Sequence, residues 1–264
     1  MRQSGRMPTP ESQRAVAESF GLDAARYDRT RPAYPDALIT RIVAASPGRS
    51  VLDVGCGTGI AARQFQAAGC TVLGVEPDAR MADFARSTGV ETELSTFEAW
   101  DGGGRRFDAV VAGTAWHWVD PVVGAARAAE VLHPGGRLAT FWHVFDLPKP
   151  IAAAFAEIYR RVVPDAPFDF NTTKPMTELY QAQFDRAADG MRRAGFDEPE
   201  QWRYEWERDY TRDEWLELLS THGGMTPLAA EQRAEILAAI APALGAGFTL
   251  PYVTTAVTAA IHAE

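Results

Sequence analysis

Residues 51–59 read VLDVGCGTG, a short and mostly apolar run that leads directly into three glycines at alternate positions. An apolar run of this length is typical of a buried strand. Gly55, Gly57 and Gly59 let the backbone turn tightly and approach a ligand closely. Because the helical pattern of residues 60–68 follows at once, the stretch predicts a strand, a loop and a helix that together bind a nucleotide-like molecule.

Strands and helices continue to alternate on the C-terminal side of this loop. Helical patterns occur at 78–87 and 120–132. Runs of strand length occur at residues 71–75, 107–112 and 137–142, and residues 91–94 indicate a weaker third strand. Strands that alternate with helices pair in parallel, with helices on both faces of the sheet. We therefore expect a Rossmann-like, doubly wound α/β fold.

Less regular regions flank this core. Residues 11–20 predict the start of a helix. Beyond residue 143, helical patterns at 151–163 and 178–194 enclose a loop at 164–175, whereas 202–206 and 248–260 have the character of strands. We expect a single domain in four segments: an N-terminal helical cap (1–48), a cofactor-binding core (49–143), a helical lid insertion (144–200), and C-terminal strands and helices (201–264).

The composition narrows the class of partner. The chain has 264 residues and is 46% hydrophobic, which excludes a disordered protein. Its formal net charge of −9 disfavours nucleic acid and anionic membranes as partners. Cys56 and Cys70 are too few for a disulfide framework, and we find no targeting leader or transmembrane run. We expect a cytoplasmic monomer or homodimer that binds a small molecule and no metal ion.

Two acidic residues restrict the ligand of the glycine loop. Glu76 ends the second predicted strand, where an acid accepts hydrogen bonds from ribose hydroxyls in this architecture. Asp53 lies within the first strand, where a buried carboxylate attracts an ammonium group and repels a pyrophosphate. A shifted glycine pattern at Gly57, Gly59 and Ala62 keeps a nicotinamide-dependent oxidoreductase as an alternative.

Four motifs resemble those of one family. The loop at 51–59, GVEPDARM at 74–81, the fourth strand with its following residues at 107–120, and LHPGG at 132–136 are similar to the motifs of class I S-adenosylmethionine-dependent methyltransferases. The resemblance covers residues 27–142 and is strongest to the small-molecule branch that includes the trans-aconitate-type enzymes (methyltransferase type 11). It implies a seven-stranded, mostly parallel sheet with one antiparallel strand, S-adenosylmethionine as methyl donor and S-adenosylhomocysteine as product.

The resemblance also assigns residues to the cofactor. Asp53 and Gly55 would bind the methionine end. Glu76 would bind the ribose and Met81 one face of the adenine, while the loop with Phe97 would contact the adenine edge. The full cofactor set that the resemblance implies is Tyr27, Arg31, Asp53, Gly55, Gly57, Gly59, Glu76, Pro77, Met81, Phe97, Glu98 and Thr114.

The segment YDRTRPAYP at residues 27–35 resembles one that folds over the cofactor in this branch. Arginine suits bidentate recognition of a carboxylate, so Arg31 would pair with the methionine carboxylate. Tyr27 or Tyr34 would then close the pocket. The alternative is that the segment forms a solvated basic face.

The reaction makes few demands on the protein. Methyl transfer from a sulfonium is an in-line displacement that needs alignment and exclusion of water more than a base. Trp116, His117 and Trp118 follow the fourth strand, where ligands bind in open α/β sheets. His117 is the candidate general base or a pocket-lining residue, and the alternative is that all three residues are structural. The predicted acceptor pocket comprises Tyr34, Trp116, Trp118, His143 and His222.

The sequence lacks the Asp-Pro-Pro-Tyr and Asn-Pro-Pro-Tyr motifs that amino-group methylases of nucleic acid or protein glutamine carry after the fourth strand. We therefore predict methyl transfer to an oxygen, nitrogen or carbon atom of a small metabolite. A nicotinamide-dependent oxidoreductase and a non-catalytic cofactor-binding protein stay open as alternatives.

Overall fold

The computed structural model of the protein describes residues 19–164 and 175–262. The chain divides into two compact units, each made of three segments. The helical unit consists of the described parts of Met1–Arg31, Phe145–Met176 and Glu207–Pro251. The sheet unit consists of the described parts of Pro32–Val144, Thr177–Trp206 and Tyr252–Glu264.

Seven strands form one sheet in the described residues, in the order β3-β2-β1-β4-β5-β7-β6. The strands are β1 (Ser50–Val54), β2 (Thr71–Glu76), β3 (Glu91–Leu94), β4 (Phe107–Gly113), β5 (Leu132–Phe145), β6 (Glu200–Thr211) and β7 (Gly247–Ala260). The pairs β1–β2, β1–β4, β2–β3 and β4–β5 are parallel.

β7 runs antiparallel to β5. Just after the end of β7, the amide of Ile261 donates to the carbonyl of Gly136, near the start of β5. Earlier in β7, the hydroxyl of Thr258 donates to the carbonyl of Leu138, which lies further along β5. The predicted Rossmann-like sheet of seven mostly parallel strands with one antiparallel strand is confirmed.

The predicted helices in the described residues are present, with ends that differ by at most two residues from the prediction. The α-helices are α1 (Ala24–Thr30), α2 (Asp36–Ala44), α3 (Ile60–Ala67), α4 (Ala79–Ser87), α5 (Pro121–Val131), α6 (Lys149–Val162), α7 (Met176–Arg193), α8 (Arg212–Ser220) and α9 (Ala230–Ile240). The predicted helix start at 11–20 and the loop at 164–175 lie largely outside the described residues. The single-domain organisation stays a prediction.

β5 is longer than the sequence predicts. The sequence predicts a strand at 137–142, but β5 begins at Leu132 and includes Pro134, Gly135 and Gly136. Gly135 has a φ of 74°, so the backbone is not extended at this residue, but its amide donates to the carbonyl of Ile261 at 3.1 Å and so pairs this segment with the C-terminal residues.

The core of the sheet unit positions the start of α3. Leu38 and Ile42 of α2, Phe65 of α3 and Val111 of β4 are fully buried in one cluster with neighbouring strand residues. Burial of each such side chain stabilises the fold by roughly 1.5–3 kcal/mol. Because α3 packs on this core through Phe65, the loop between β1 and α3 has a rigid support at both ends.

The helical unit is held by helix pairs and by aromatic packing. α1 packs against α8, and α6 against α9. Thr211 and Glu214 cap α8 reciprocally: the Thr211 side chain accepts from the amide of Glu214, and the Glu214 side chain accepts from the amide of Thr211. The ring of Trp215 packs edge-on against those of Phe145 and Phe248. None of the described helices has the length and apolar character needed to span a membrane.

Candidate functional site

The glycine loop follows β1 in the sheet unit. The amide of Gly55 donates to the carbonyl of Val75 at 2.8 Å, which ties the loop to β2. Gly55 has a φ of 63°, and a Cβ there would lie 2.7 Å from the Cβ of Ala115, so a larger residue does not fit. Gly57 has a φ of 57°, and no atom lies within 4 Å of the position of its missing Cβ. The backbone at Gly57 therefore borders open space that a ligand can fill.

Asp53 in β1 is a buried acid without a hydrogen-bond partner. The residue is 1% exposed, and neither carboxylate oxygen is hydrogen-bonded to a described residue. Burial, and then the charge of Glu76, raises the pKa of Asp53 to about 8, while the nearby backbone amide of Ala62, which is outside hydrogen-bond geometry, opposes the shift in part. The carboxyl is therefore protonated at neutral pH and has unused capacity for a donor or a cation.

Glu76, at the end of β2, accepts two backbone hydrogen bonds. Its Oε2 accepts from the amide of Gly57 at 2.8 Å, and its Oε1 accepts from the amide of Asp78 at 2.9 Å. Burial raises the pKa of Glu76, although these two bonds oppose the shift. The side chain thus fixes the glycine loop to the end of β2, and each oxygen keeps a lone pair for a further donor.

The residues predicted to contact an adenine ring follow the neighbouring strands β2 and β3. Met81 is buried in the first turn of α4, whereas Pro77 is exposed. Phe97 is buried after β3. Glu98 accepts a hydrogen bond from the amide of Asp120 at 3.0 Å, which connects this segment to the start of α5.

Thr114 follows β4 in a strained backbone conformation. Its φ of 53° lies in the left-handed region, which β-branched residues rarely adopt. Its amide donates to the carbonyl of Phe141 at 2.7 Å, and its hydroxyl lies 3.0 Å from the hydroxyl of Tyr34. The ring of Tyr34 stacks on that of His143 with centroids 4.4 Å apart. The structure thus brings Tyr34 and His143, both predicted pocket residues, together with Thr114.

A short 3-10 helix, Trp116–Trp118, comes next in the chain. Trp116 is buried and its Nε1 has no hydrogen-bond partner in the described residues, whereas Trp118 is 39% exposed. Nδ1 of His117 accepts a hydrogen bond from Nε1 of Trp142 at 3.3 Å. Burial, and then the charge of Arg186, lowers the pKa of His117 to about 4. His117 is therefore neutral at neutral pH.

Two residues of this region escaped the sequence-based predictions. Thr58, within the glycine loop, is 1% exposed, and its hydroxyl is without a partner in the described part of the chain. Its place between two glycines is a signal that could have identified it. Trp142 is separated from His117 by 25 positions, so its contact leaves no local signal in the sequence.

The other three predicted site residues, Tyr27, Arg31 and His222, lie in the helical unit. The guanidinium carbon of Arg31 lies 4.7 Å from the ring centroid of Tyr27, and its Nη2 donates to the carbonyl of Thr221 at 2.8 Å. Its buried Nε has no partner in the described residues. Burial, and then the charge of Arg31, lowers the pKa of His222 to about 4. These three residues therefore form one cluster, in which one guanidinium N–H lacks an acceptor.

Within residues 19–164 and 175–262, no group of three or more His, Cys, Asp or Glu side chains is placed to hold a metal ion.

Comparison with known proteins gives a consistent family. Residues 51–136 match the family described as methyltransferase domain. An uncharacterized methyltransferase of Mycobacterium tuberculosis is 38% identical over 137 residues, which are 51% of this chain and 56% of the relative. The demethylmenaquinone methyltransferase of Tropheryma whipplei is 29% identical over 160 residues, 56% of this chain and 66% of that protein. The chain thus matches less than two thirds of the length of either relative.

A solved structure gives the same fold. A type II methyltransferase candidate from Anaeromyxobacter dehalogenans superposes with a TM-score of 0.60, covering 89% of this chain and 99% of its own, at 23% identity. This likeness extends the agreement in fold beyond the matched domain, and the comparisons do not favour the nicotinamide-dependent alternative. Residues 51–136 are thus similar to the methyltransferase domain family, in agreement with the class I S-adenosylmethionine-dependent methyltransferases that the motifs resemble.

Proposed function

We propose that this protein transfers a methyl group from S-adenosylmethionine to an oxygen, nitrogen or carbon atom of a small metabolite. The observation that carries the proposal is the buried carboxyl of Asp53, which has no hydrogen-bond partner in the described residues and lies just before the glycine loop. A buried acid in this state costs stability, and an ammonium group beside it removes that cost. The amino-acid end of the cofactor carries such a group.

Other residues of the sheet unit fit the remainder of the cofactor. Glu76 keeps lone pairs for the ribose hydroxyls, and Gly57 borders open space next to it. Met81 and Phe97 are apolar groups suited to an adenine ring. When bound, S-adenosylmethionine supplies a methyl group on a sulfonium whose leaving group needs no further activation. Gly55, Gly59, Pro77, Glu98 and Thr114 complete the proposed cofactor set of this unit.

The chain's own residues would align the acceptor and exclude water. We assign the acceptor pocket to His117 together with Tyr34, Trp116, Trp118 and His143. In the helical unit, Arg31 and Tyr27 are proposed for the methionine carboxylate because Arg31 has an N–H without an acceptor, which a carboxylate would supply. His222 is proposed for the acceptor pocket.

A small-molecule acceptor agrees with the name of one relative, demethylmenaquinone methyltransferase. The net charge of −9 disfavours nucleic acid as a partner. We propose a cytoplasmic enzyme that acts as a monomer or a homodimer.

Calorimetry with parts of the cofactor tests the proposal. We expect the protein to bind S-adenosylhomocysteine and not NADH. Glu76→Gln should weaken binding of both S-adenosylhomocysteine and adenosine about 10- to 150-fold, since it removes a charged hydrogen-bond acceptor. Asp53→Asn should weaken the binding of S-adenosylhomocysteine and leave the binding of adenosine unchanged. Binding of NADH, or equal losses for both ligands in both variants, would contradict the assignment.

Turnover separates an enzyme from a non-catalytic cofactor-binding protein. Release of S-adenosylhomocysteine is measured against a panel of small metabolites, with the Glu76→Gln variant as a matched control. Acceptor-dependent release that the variant loses supports the proposal. Tight binding of S-adenosylhomocysteine without release for any acceptor supports the non-catalytic alternative.

A further inference from the structure

Gln64 of α3 binds the main chain of Tyr34 through both ends of its side-chain amide. Its Oε1 accepts from the amide of Tyr34 at 2.9 Å, and its Nε2 donates to the carbonyl of Tyr34 at 2.7 Å. A carboxamide supplies one acceptor and one donor side by side, so it can satisfy the N–H and the C=O of one residue together. Residues 32–35 lie between α1 and α2 and belong to no helix or strand. Gln64 therefore fixes the position of Tyr34 relative to α3.

The phenol of Tyr34 reaches the end of β4. Its hydroxyl lies 3.0 Å from the hydroxyl of Thr114. At Gly113, a Cβ would lie 2.7 Å from the phenol oxygen, so a larger residue there would displace the phenol. The ring is 9% exposed and packs edge-on against the ring of Phe141, with centroids 4.6 Å apart. The side chain of Tyr34 is therefore fixed by β4 and β5, while its main chain is fixed by α3.

Thr114 lies next to the residue that contacts the glycine loop. A Cβ on Gly55 would lie 2.7 Å from the Cβ of Ala115, so the backbone that follows β4 closely approaches the loop. The turn that leads there includes Thr114 in the left-handed conformation, with a φ of 53°. A β-branched residue rarely adopts this conformation, and the hydrogen bonds of Thr114 to Tyr34 and to the carbonyl of Phe141 stabilise it. Tyr34 thus supports the strained turn beside the glycine loop.

These residues form one continuous chain of contacts around the glycine loop, within the sheet unit. Gln64 binds Tyr34, and Tyr34 binds Thr114. Ala115 then approaches Gly55, whose loop leads back into α3. Loss of the Gln64 amide should therefore move Tyr34, and Thr114 with it, while the hydrogen bonds from the loop to β2 stay in place.

We propose that Gln64 is a positioning residue for methyl transfer, which acts through Tyr34 to hold Thr114 at the end of β4. The inference rests on the proposed function, in which Thr114 belongs to the cofactor set and Tyr34 to the acceptor pocket. An in-line displacement requires that the acceptor atom, the methyl carbon and the sulfur are aligned, and a displacement of about 1 Å can lower its rate about 100-fold. Affinity for the cofactor rests on Asp53 and Glu76 in the proposed function. Loss of the Gln64 amide should therefore slow the transfer and leave this affinity nearly unchanged.

NMR of the full chain with labelled threonine methyl groups tests the inference, in the free protein and in the complex with S-adenosylhomocysteine. We expect Gln64→Leu and Tyr34→Phe each to shift the methyl resonance of Thr114, and the double variant to shift it no further than Tyr34→Phe alone. Gln66→Leu is the matched control, because Gln66 lies on the same helix and donates to the carbonyl of Gly89 at 3.1 Å. It should leave the Thr114 resonance unchanged. An unshifted resonance in Gln64→Leu, or additive shifts in the double variant, would overturn the inference.

Gln64→Glu provides a second test if the leucine variant does not fold. An ionised glutamate still accepts from the amide of Tyr34, but its second oxygen faces the Tyr34 carbonyl, to which only a protonated glutamate can donate. Relative to the wild type at the same pH, the Thr114 resonance of this variant should be displaced at about pH 8 and return as the pH falls to about 4.5, near the ordinary pKa of glutamate. A displacement that does not depend on pH would contradict the role of the Nε2–H.

Turnover distinguishes a positioning residue from one that only tethers the chain before α2. With the acceptor that the metabolite panel identifies, Gln64→Leu should lower kcat about 10- to 100-fold and change the dissociation constant of S-adenosylhomocysteine less than about twofold. Gln66→Leu should change neither. If the wild type does not bind S-adenosylhomocysteine, the proposed function fails, and the Thr114 resonance of the free protein still shows whether Gln64 positions this residue. If it binds while Gln64→Leu leaves the Thr114 resonance and kcat unchanged, only the inference on Gln64 fails.

Discussion

Replacing Asp53 by asparagine should make the unliganded protein more stable while it removes affinity for the cofactor. Asp53 is buried without a partner in the described residues, and burial is the main reason for its raised pKa of about 8. In the unfolded chain its ordinary value is 3.8. Between these two values the unfolded state releases a proton that the folded state keeps, so stability is fully present below pH 3.8 and is lost as the pH rises towards 8.

The size of this effect follows from the interval between the pKa of Asp53 in the unfolded chain and the pH of the experiment. From 3.8 to pH 7 the loss is about 4 kcal/mol, since each unit of pKa corresponds to about 1.4 kcal/mol. Asparagine avoids this loss, but its buried amide still lacks partners, which costs about 1–3 kcal/mol. The expected net effect of Asp53→Asn is therefore a gain of about 1–3 kcal/mol at pH 7 that rises towards pH 8 and turns into a loss of about 1–3 kcal/mol near pH 4, where only the cost of the buried amide is left.

Two measurements check this reasoning. Urea unfolding of both proteins at several pH values gives the difference in stability, with Asp83→Asn as control because Asp83 is 74% exposed. Calorimetry in buffers of different ionisation enthalpy should show that S-adenosylhomocysteine releases a proton from the wild type below pH 8 and none from the variant. A stability difference that does not depend on pH, or unchanged affinity for S-adenosylhomocysteine, would refute the role assigned to Asp53.

Three further predictions concern other parts of the site. Gly55→Ala should destabilise the protein more than Gly57→Ala in thermal unfolding, because only the first methyl group meets a neighbouring Cβ. Thr114→Gly should cost less stability than Thr114→Val by about 1–2 kcal/mol, since glycine relieves the strain of a φ of 53° and valine keeps it. His222 has a pKa lowered to about 4, so stability is full above pH 6.5 and is lost as the pH falls towards 4. His222→Gln should reduce this loss by about 3 kcal/mol in acid-unfolding curves, and a variant that remains as acid-sensitive as the wild type would contradict it.

The strands before and after the glycine loop could be predicted because their signals are local. β1 and β2 are apolar runs bounded by glycine or proline, and the structure ends them within one residue of the prediction. The length of β5 could not be predicted, because its first residues are paired through Gly135 with Ile261, which is far away in the sequence. α9 was not singled out, since only Ile236 and Ile240 are buried and its N-cap residue, Ala229, has no polar side chain that would mark the start.

The same difference between local signals and long-range contacts applies to the residues of the site. Asp53 and Glu76 could be found because each stands at a fixed place relative to a strand and a glycine loop. The hydrogen bond that Glu76 accepts from the amide of Gly57 could not be predicted, because the sequence does not show that this carboxylate binds the backbone as well as a ligand. The same holds for the hydrogen bond between Trp142 and His117, which depends on a neighbouring strand. Sequence therefore identifies which groups are present, and packing decides what they can donate or accept.

Two costly local features of the sheet unit support a ligand site at one edge of the sheet. Asp53 pairs in register with Val111 of β4, so the buried acid and the strained Thr114 come near the ends of adjacent parallel strands. Each costs stability on the order of 1–3 kcal/mol or more, and neither improves the packing of the core. Such costs accumulate where a protein binds something that repays them. The carboxyl ends of neighbouring strands in an open α/β sheet are the place where ligands bind, so the two features argue for function independently of any motif.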